Sequence, residues 1–143
     1  MLHTAGRWDR LASVLERTDI FLPSGEEIFL FTDAIEEDAA IEDLLSRGIS
    51  EIAVKRGARG ASYFAGDTRL DVAAHDVEER DPTGAGDCFG GTFVALRLAG
   101  EPPETALRYA NAAGALAVTA LGPMEGTSTR AALEAFLKEQ AGR

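Results

Sequence analysis

Residues 81–91 read Asp-Pro-Thr-Gly-Ala-Gly-Asp-Cys-Phe-Gly-Gly, and no other stretch restricts the fold as much. Pro82 has no backbone N–H and biases Asp81 away from the helical region. An apolar, small-residue run from Phe89 to Ala99 follows, so a helix is expected to begin at about Gly84 to Gly86. The first N–H groups of such a helix lack intrahelical acceptors, and they converge with the positive end of its dipole. Gly84 and Gly86 have no Cβ to hold a bulky anion away from the backbone. The turn is therefore suited to anion binding. Asp87 has two readings. It is an acid that is electrostatically comfortable in a first helical turn, or a carboxylate that takes the proton of a hydroxyl attacking a bound phosphoryl group. The stretch alone leaves both open.

The run Asp81-Pro82-Thr83-Gly84-Ala85-Gly86-Asp87 resembles the C-terminal signature of the ribokinase-like (PfkB-type) carbohydrate kinases, an Asp-x-Thr-Gly-Ala-Gly-Asp turn followed by a small-residue helix. Two aspartates, a threonine and two glycines at fixed offsets make it far more specific than a bare glycine pattern. The likeness extends from about Asp19 to the C-terminus. It implies ATP-dependent phosphorylation of a sugar or sugar-acid hydroxyl with magnesium. Asp87 would be the general base, and the N–H groups of Gly84, Ala85, Gly86 and Asp87 would stabilise charge on the transferring group. It also implies that residues 1–143 are the C-terminal nucleotide-binding and catalytic half of such a kinase. The family's N-terminal half, with most sugar contacts and a small β-sheet lid, has no counterpart in the sequence.

Composition, with 45% hydrophobic and 27% charged residues, reads as soluble globular. At 143 residues the chain suits one domain with a sizeable core. Lys and Arg number 14 against 24 Asp and Glu, a formal charge of -10, which argues against nucleic acid or an anionic membrane as main partner. No apolar run reaches membrane-spanning length, residues 1–10 lack a signal-peptide core, and the single cysteine, Cys88, fits a reducing cytoplasm.

Along the chain, Arg7 to Arg17 has helical apolar spacing. Asp19 to Leu22 reads as a buried strand ended by Pro23, after which Ser24 caps a helix over Gly25 to Thr32 with Glu27 completing a capping box. The family has Asn-x-x-Glu here, near metal and phosphate. Glu27 matches it and Ser24 departs from it. Glu36 to Ser46 reads as a helix, with Ile35, Ala39, Ile41, Leu44 and Leu45 apolar and Gly48 stopping it. Glu51 to Lys55 and Ala61 to Phe64 read as strands around a glycine-containing turn. The resemblance lays that turn, with Lys55, Gly57, Arg59 and Gly60, along the nucleotide phosphates and ribose. Thr68 to Ala73 continues the β region, and His75 has no partner at metal-ligand spacing and reads as structural or exposed. In the Gly84 to Leu98 helix, Phe89, Phe93, Leu96 and Leu98 are expected in the core, with Gly90, Gly91 and Ala95 leaving one side thin. Cys88 reads as a small apolar residue, since no histidine pattern activates it.

Glu104 to Thr119 is an alanine-rich helix carrying Asn111, which the resemblance puts near the adenine. The following loop includes Gly122-Pro123-Met124-Glu125-Gly126, similar to family members acting on ketohexoses or deoxy-keto sugar acids. The resemblance implies a monovalent-cation (K+) site from Asp81, Thr83 and the carbonyls of Ala117, Ala120 and Gly122. Ser128 is expected to cap the last helix, Thr129 to Glu139.

Interleaved strands and helices indicate an α/β fold. The resemblance makes it a three-layer αβα sandwich with a largely parallel sheet, incomplete relative to the family, and an antiparallel portion near Lys55 to Ala73. Two other readings stand beside the kinase: a truncated nucleotide-binding half-domain without activity of its own, and a structural fragment whose exposed sheet edge drives self-association, for example as a homodimer.

Overall fold

The computed structural model describes residues 12–142. They fall into two compact units, one of the described residues up to Lys55 with Tyr63–Arg69, the other of Arg56–Ser62 with the described residues from Leu70 onward. Four strands form one mixed sheet in the order β1 (Ile20–Phe21), β2 (Glu51–Lys55), β3 (Ala61–Ala65), β4 (Thr68–Val72). β1 and β2 are parallel, with Ile20 opposite Glu51 and Phe21 opposite Ile52. The helix α1 (Glu37–Ser46) forms the crossover between them, as a parallel pair requires. β3 runs into β4 through the two-residue turn Gly66-Asp67, with Gly66 at φ 52°, so the hairpin portion lies where the sequence places it.

The first unit is built on the β1-α1-β2 segment. Ile28, Ile41, Leu44, Ile52, Val54 and Phe64 form its core. The inward face of α1 is Ala40, Ile41 and Leu44, not the expected stripe through Ile35 and Ala39. Ile35 is 87% exposed because it precedes the N-cap, Glu36, and so never joins the helix face. Residues 25–31 form a helical segment of 310 rather than α type. The expected reciprocal bond is there: the Ser24 N–H donates to Glu27 Oε2 at 2.6 Å. Residues 12–15 are helical, and the part of the expected Arg7–Arg17 helix before residue 12 lies outside the described residues.

The second unit contains α2 (Ala85–Leu98), α3 (Pro103–Ala117) and α4 (Arg130–Ala141). α2 packs along α3, presenting Phe89, Phe93 and Leu96 at i, i+4 and i+7. Leu98 was expected among them but is 81% exposed, since it falls about 200° around the helix from Leu96. The thin side is open as well: Gly91 and Ala95 are exposed, and a Cβ on Gly91 would meet nothing within 4 Å. On α3, Ala112 and Ala113 pack against Leu133 of α4, with Cys88, Tyr109 and Phe136 alongside, which gives Cys88 the packing role expected of it. The cap of α4 is Thr129, whose Oγ1 accepts from the Ala132 N–H at 3.2 Å. Ser128, the expected cap, donates instead to the Gly126 carbonyl at 3.2 Å. Thr129 has the extended backbone of an N-cap, φ -79° and ψ 161°.

Candidate active site

The signature turn is held from two sides. The N–H groups of Arg80 and Asp81 both donate to the Val118 carbonyl, just past the end of α3, at 2.7 and 3.1 Å. Asp81 then divides its carboxylate: Oδ1 accepts from the Thr83 N–H and Oδ2 from the Gly122 N–H, each at 2.9 Å. The Thr83 side chain, together with these two amides, holds the Asp81 carboxyl below its usual range. Gly84 is left-handed, φ 82° and ψ -9°, and a Cβ there would overlap the Pro123 carbonyl oxygen. The glycine at 84 is therefore required by packing and conformation together.

Beyond Gly84 the turn opens. The Ala85 N–H donates back to the Pro82 carbonyl at 3.2 Å and the Cys88 N–H to that of Gly84 at 2.9 Å. Ala85, expected as an amide donor to the phosphoryl group, is thus already engaged. Among the described residues, the N–H groups of Gly86 and Asp87 have no acceptor. Both residues are exposed, and no donor among the described residues reaches the Asp87 carboxylate. Two free amides and a free carboxylate share the first turn of α2, where the helix dipole favours an anion.

The other expected residues divide between the units. In the first, Ser24 forms a parallel bridge with Lys55, and the Lys55 N–H donates to the Pro23 carbonyl at 2.8 Å. Ser24, Glu27 and Lys55 thus gather at the carboxyl ends of β1 and β2, the side of an α/β sheet on which ligands bind. In the second unit, the turn after β2 is a short 310 segment, Gly57–Arg59, with Arg59 exposed. Gly57, at φ 55°, has open space where a Cβ would be. Gly60 does not: it is buried at φ 89°, and a Cβ would run into the backbone of residues 72–74. Close packing against that backbone therefore requires a glycine here.

Asn111 donates its Nδ2 to the Ala73 carbonyl at 2.8 Å. It lines a cleft of about 430 Å³ with Ala73, His75, Arg108, Leu137 and Gln140. Sequence reasoning missed Arg108 and Gln140, although Arg108 and Asn111, three apart, share a face of α3. His75 is half-buried, edge-on to Phe136 with ring centroids 4.9 Å apart. Burial, reinforced by Arg108, holds its pKa below the ordinary value. Of the expected cation ligands, Gly122 turns its N–H toward Asp81, and the Ala117 carbonyl accepts from Ala120 N–H at 3.3 Å. Among the described residues there is no group of three or more His, Cys, Asp or Glu arranged to hold a metal ion, and no helix long and apolar enough to cross a membrane.

The family model for pfkB family carbohydrate kinases matches residues 2–130. The chain belongs to that family. It is 33% identical over 100 residues to a ribokinase of Bacillus subtilis, covering 70% of this chain and 34% of that protein. It is 35% identical over 132 residues to an acarbose 7(IV)-phosphotransferase of Actinoplanes, covering 88% and 43%. A crystal structure described as a ribokinase II from E. coli, in complex with ATP and magnesium, superposes with a TM-score of 0.89 at 49% identity, over 92% of this chain and 42% of that one. The fold is therefore ribokinase-like, and the pfkB chain described here spans less than half the length of these relatives.

Proposed function

We propose that this chain is the C-terminal, nucleotide-binding and catalytic half of an ATP-dependent carbohydrate kinase that phosphorylates a sugar or sugar-acid hydroxyl. The observation that carries this reading is the start of α2, where the free N–H groups of Gly86 and Asp87 lie beside a free, exposed carboxylate. The amides hold and stabilise negative charge on the transferring phosphoryl group, each such donor being worth about 10²–10³ in rate. Asp87 accepts the proton of the sugar hydroxyl as its oxygen bonds to phosphorus, a role worth about 10²–10⁴. Asp81 acts at a distance by anchoring the turn through Thr83 and Gly122. The backbone of Gly57 and the charge of Arg59 follow the nucleotide phosphates and ribose, and the cleft beside Asn111 receives the base.

Magnesium, when bound, would offset the charge of the nucleotide phosphates. The residue set fits this arrangement, since no protein carboxylate cluster is needed for an ion held mostly by phosphates and water. The Asp81–Gly122 loop region is the place for a monovalent cation such as K+. The similarity to a ribokinase and to an acarbose 7(IV)-phosphotransferase favours a carbohydrate acceptor.

Asp87→Asn in the complete kinase tests the reading. Sugar-dependent ADP release is expected to fall by at least about 10², while calorimetry shows MgATP binding within a few-fold of the parent. Turnover close to the parent's would remove Asp87 from the chemistry.

A further inference from the structure

Ser62, 2% exposed in the middle of β3, carries its hydroxyl between two charged side chains. Arg56 Nε donates to Ser62 Oγ at 2.8 Å, and Ser62 Oγ donates to Asp71 Oδ1 at 2.5 Å. The direction of both bonds is forced: a guanidinium has no acceptor and an ionised carboxylate no donor, so only a hydroxyl in the middle serves both. Bonds to charged groups are about twice as strong as neutral ones. The relay joins the residue entering the β2–β3 turn to β3 and to β4.

The main chain of Arg56 closes that same turn. Its N–H donates to the Gly60 carbonyl at 2.8 Å, and its own carbonyl accepts from the Arg59 N–H at 3.1 Å. Gly60 in turn abuts the backbone of residues 72–74. With its side chain tied to Ser62, Arg56 is committed to holding the turn.

We propose that Arg56, Ser62 and Asp71 are positioning residues that fix the 56–60 turn, and through it set the affinity for a nucleotide's phosphates. The effect on affinity rests on the nucleotide reading above; the effect on the turn does not. The relay accounts for a serine at a buried strand position where an apolar residue would otherwise serve, because Ser62 is the only one of the three side chains able to accept and donate at once.

The test uses the 143-residue chain with Ser62→Ala, the exposed-site variant Asp71→Asn, and Ser62→Thr, which restores the hydroxyl. Amide hydrogen exchange is followed at Arg59 and Gly60, against reporters in α3. In Ser62→Ala and Asp71→Asn, exchange at Arg59 and Gly60 is expected to quicken by about tenfold with α3 unchanged, and Ser62→Thr returns it toward the parent. MgADP affinity by calorimetry is expected to weaken by about tenfold in step. Unchanged exchange in the turn, or acceleration spread evenly over the chain, overturns the proposal. Parent protein that fails to bind MgADP while the turn responds as expected refutes the nucleotide reading and leaves the positioning role standing.

Discussion

Gly84 and Gly91 lie seven residues apart at and on α2, and they answer to different constraints. Gly84 is left-handed and has the Pro123 carbonyl where a Cβ would stand. Gly91 has helical geometry and open space around it. Alanine at 84 must bear left-handed strain of about 1–3 kcal/mol and push back the 122–126 loop. Alanine at 91 relieves the unfolded-state entropy of a mid-helix glycine, a gain of about 0.5–1 kcal/mol. Urea titration should therefore show Gly84→Ala destabilised and Gly91→Ala stabilised. A loss at Gly91 would mean that this face of α2 is covered in solution. Signature glycines are easily credited to the ligand, yet at Gly84 and Gly60 the neighbour that excludes a side chain is the protein's own backbone. In the proposed reading, the free N–H groups of Gly86 and Asp87 are the ones that meet a phosphate.

Among the elements, α4 depends most on its ends and on one ring contact. Thr129 caps it, so Thr129→Ala should cost about 1 kcal/mol, while Ser128→Ala, outside the cap, should stay within about 0.5 kcal/mol. Equal losses in a denaturant series would show that the cap is shared. Phe136 of α4 packs against His75, and this contact makes the helix acid-sensitive. Burial, with Arg108 assisting, lowers the native pKa of His75 below the ordinary 6.5. Between those two values the unfolded chain binds more protons, so the stabilisation is full above the unfolded value and is lost as pH falls through the native one. Asp81 adds a second step further down. Its bonds to Thr83 and Gly122 lower its pKa from 3.8, so its contribution is full above that value and is lost as pH falls through the lower native one. The thermal midpoint should drop in the first acid step, and His75→Gln should flatten that step only. A drop of the same size in His75→Gln would place its origin elsewhere.

For the molecule as a whole, local pattern was legible and long-range closure was not. The bounds of β2, the hairpin and α2 follow from alternation, turn residues and helical spacing within a few positions. On α1, Ile41 and Leu44 are buried as expected, whereas Ile35 is exposed because it sits one residue before the cap, a distinction that apolar spacing does not carry. At the site, the signature spacing marked Asp81, Gly84 and Asp87. It did not reveal that Asp81 reaches Gly122, 41 residues away, or that Asn111 reaches Ala73, 38 residues away, because such pairs depend on tertiary packing. The same distinction governs what these residues can do by themselves. In the proposed reading, the free amides of Gly86 and Asp87 and the turn after β2 form the phosphate side of a kinase, and both are local structures completed within the second unit. The chain matches only 34–43% of the relatives named above, and phosphoryl transfer needs the acceptor held in line with the phosphate as well as the phosphate held. These 143 residues are therefore expected to gain thermal stability with MgADP, because ligand that binds the folded state alone raises its melting temperature. They are also expected to release little or no ADP from ATP in response to ribose, fructose or a deoxy-keto sugar acid. Robust sugar-dependent release would show that the acceptor site lies within this chain after all, whereas no shift with MgADP would remove the nucleotide and leave a structural role.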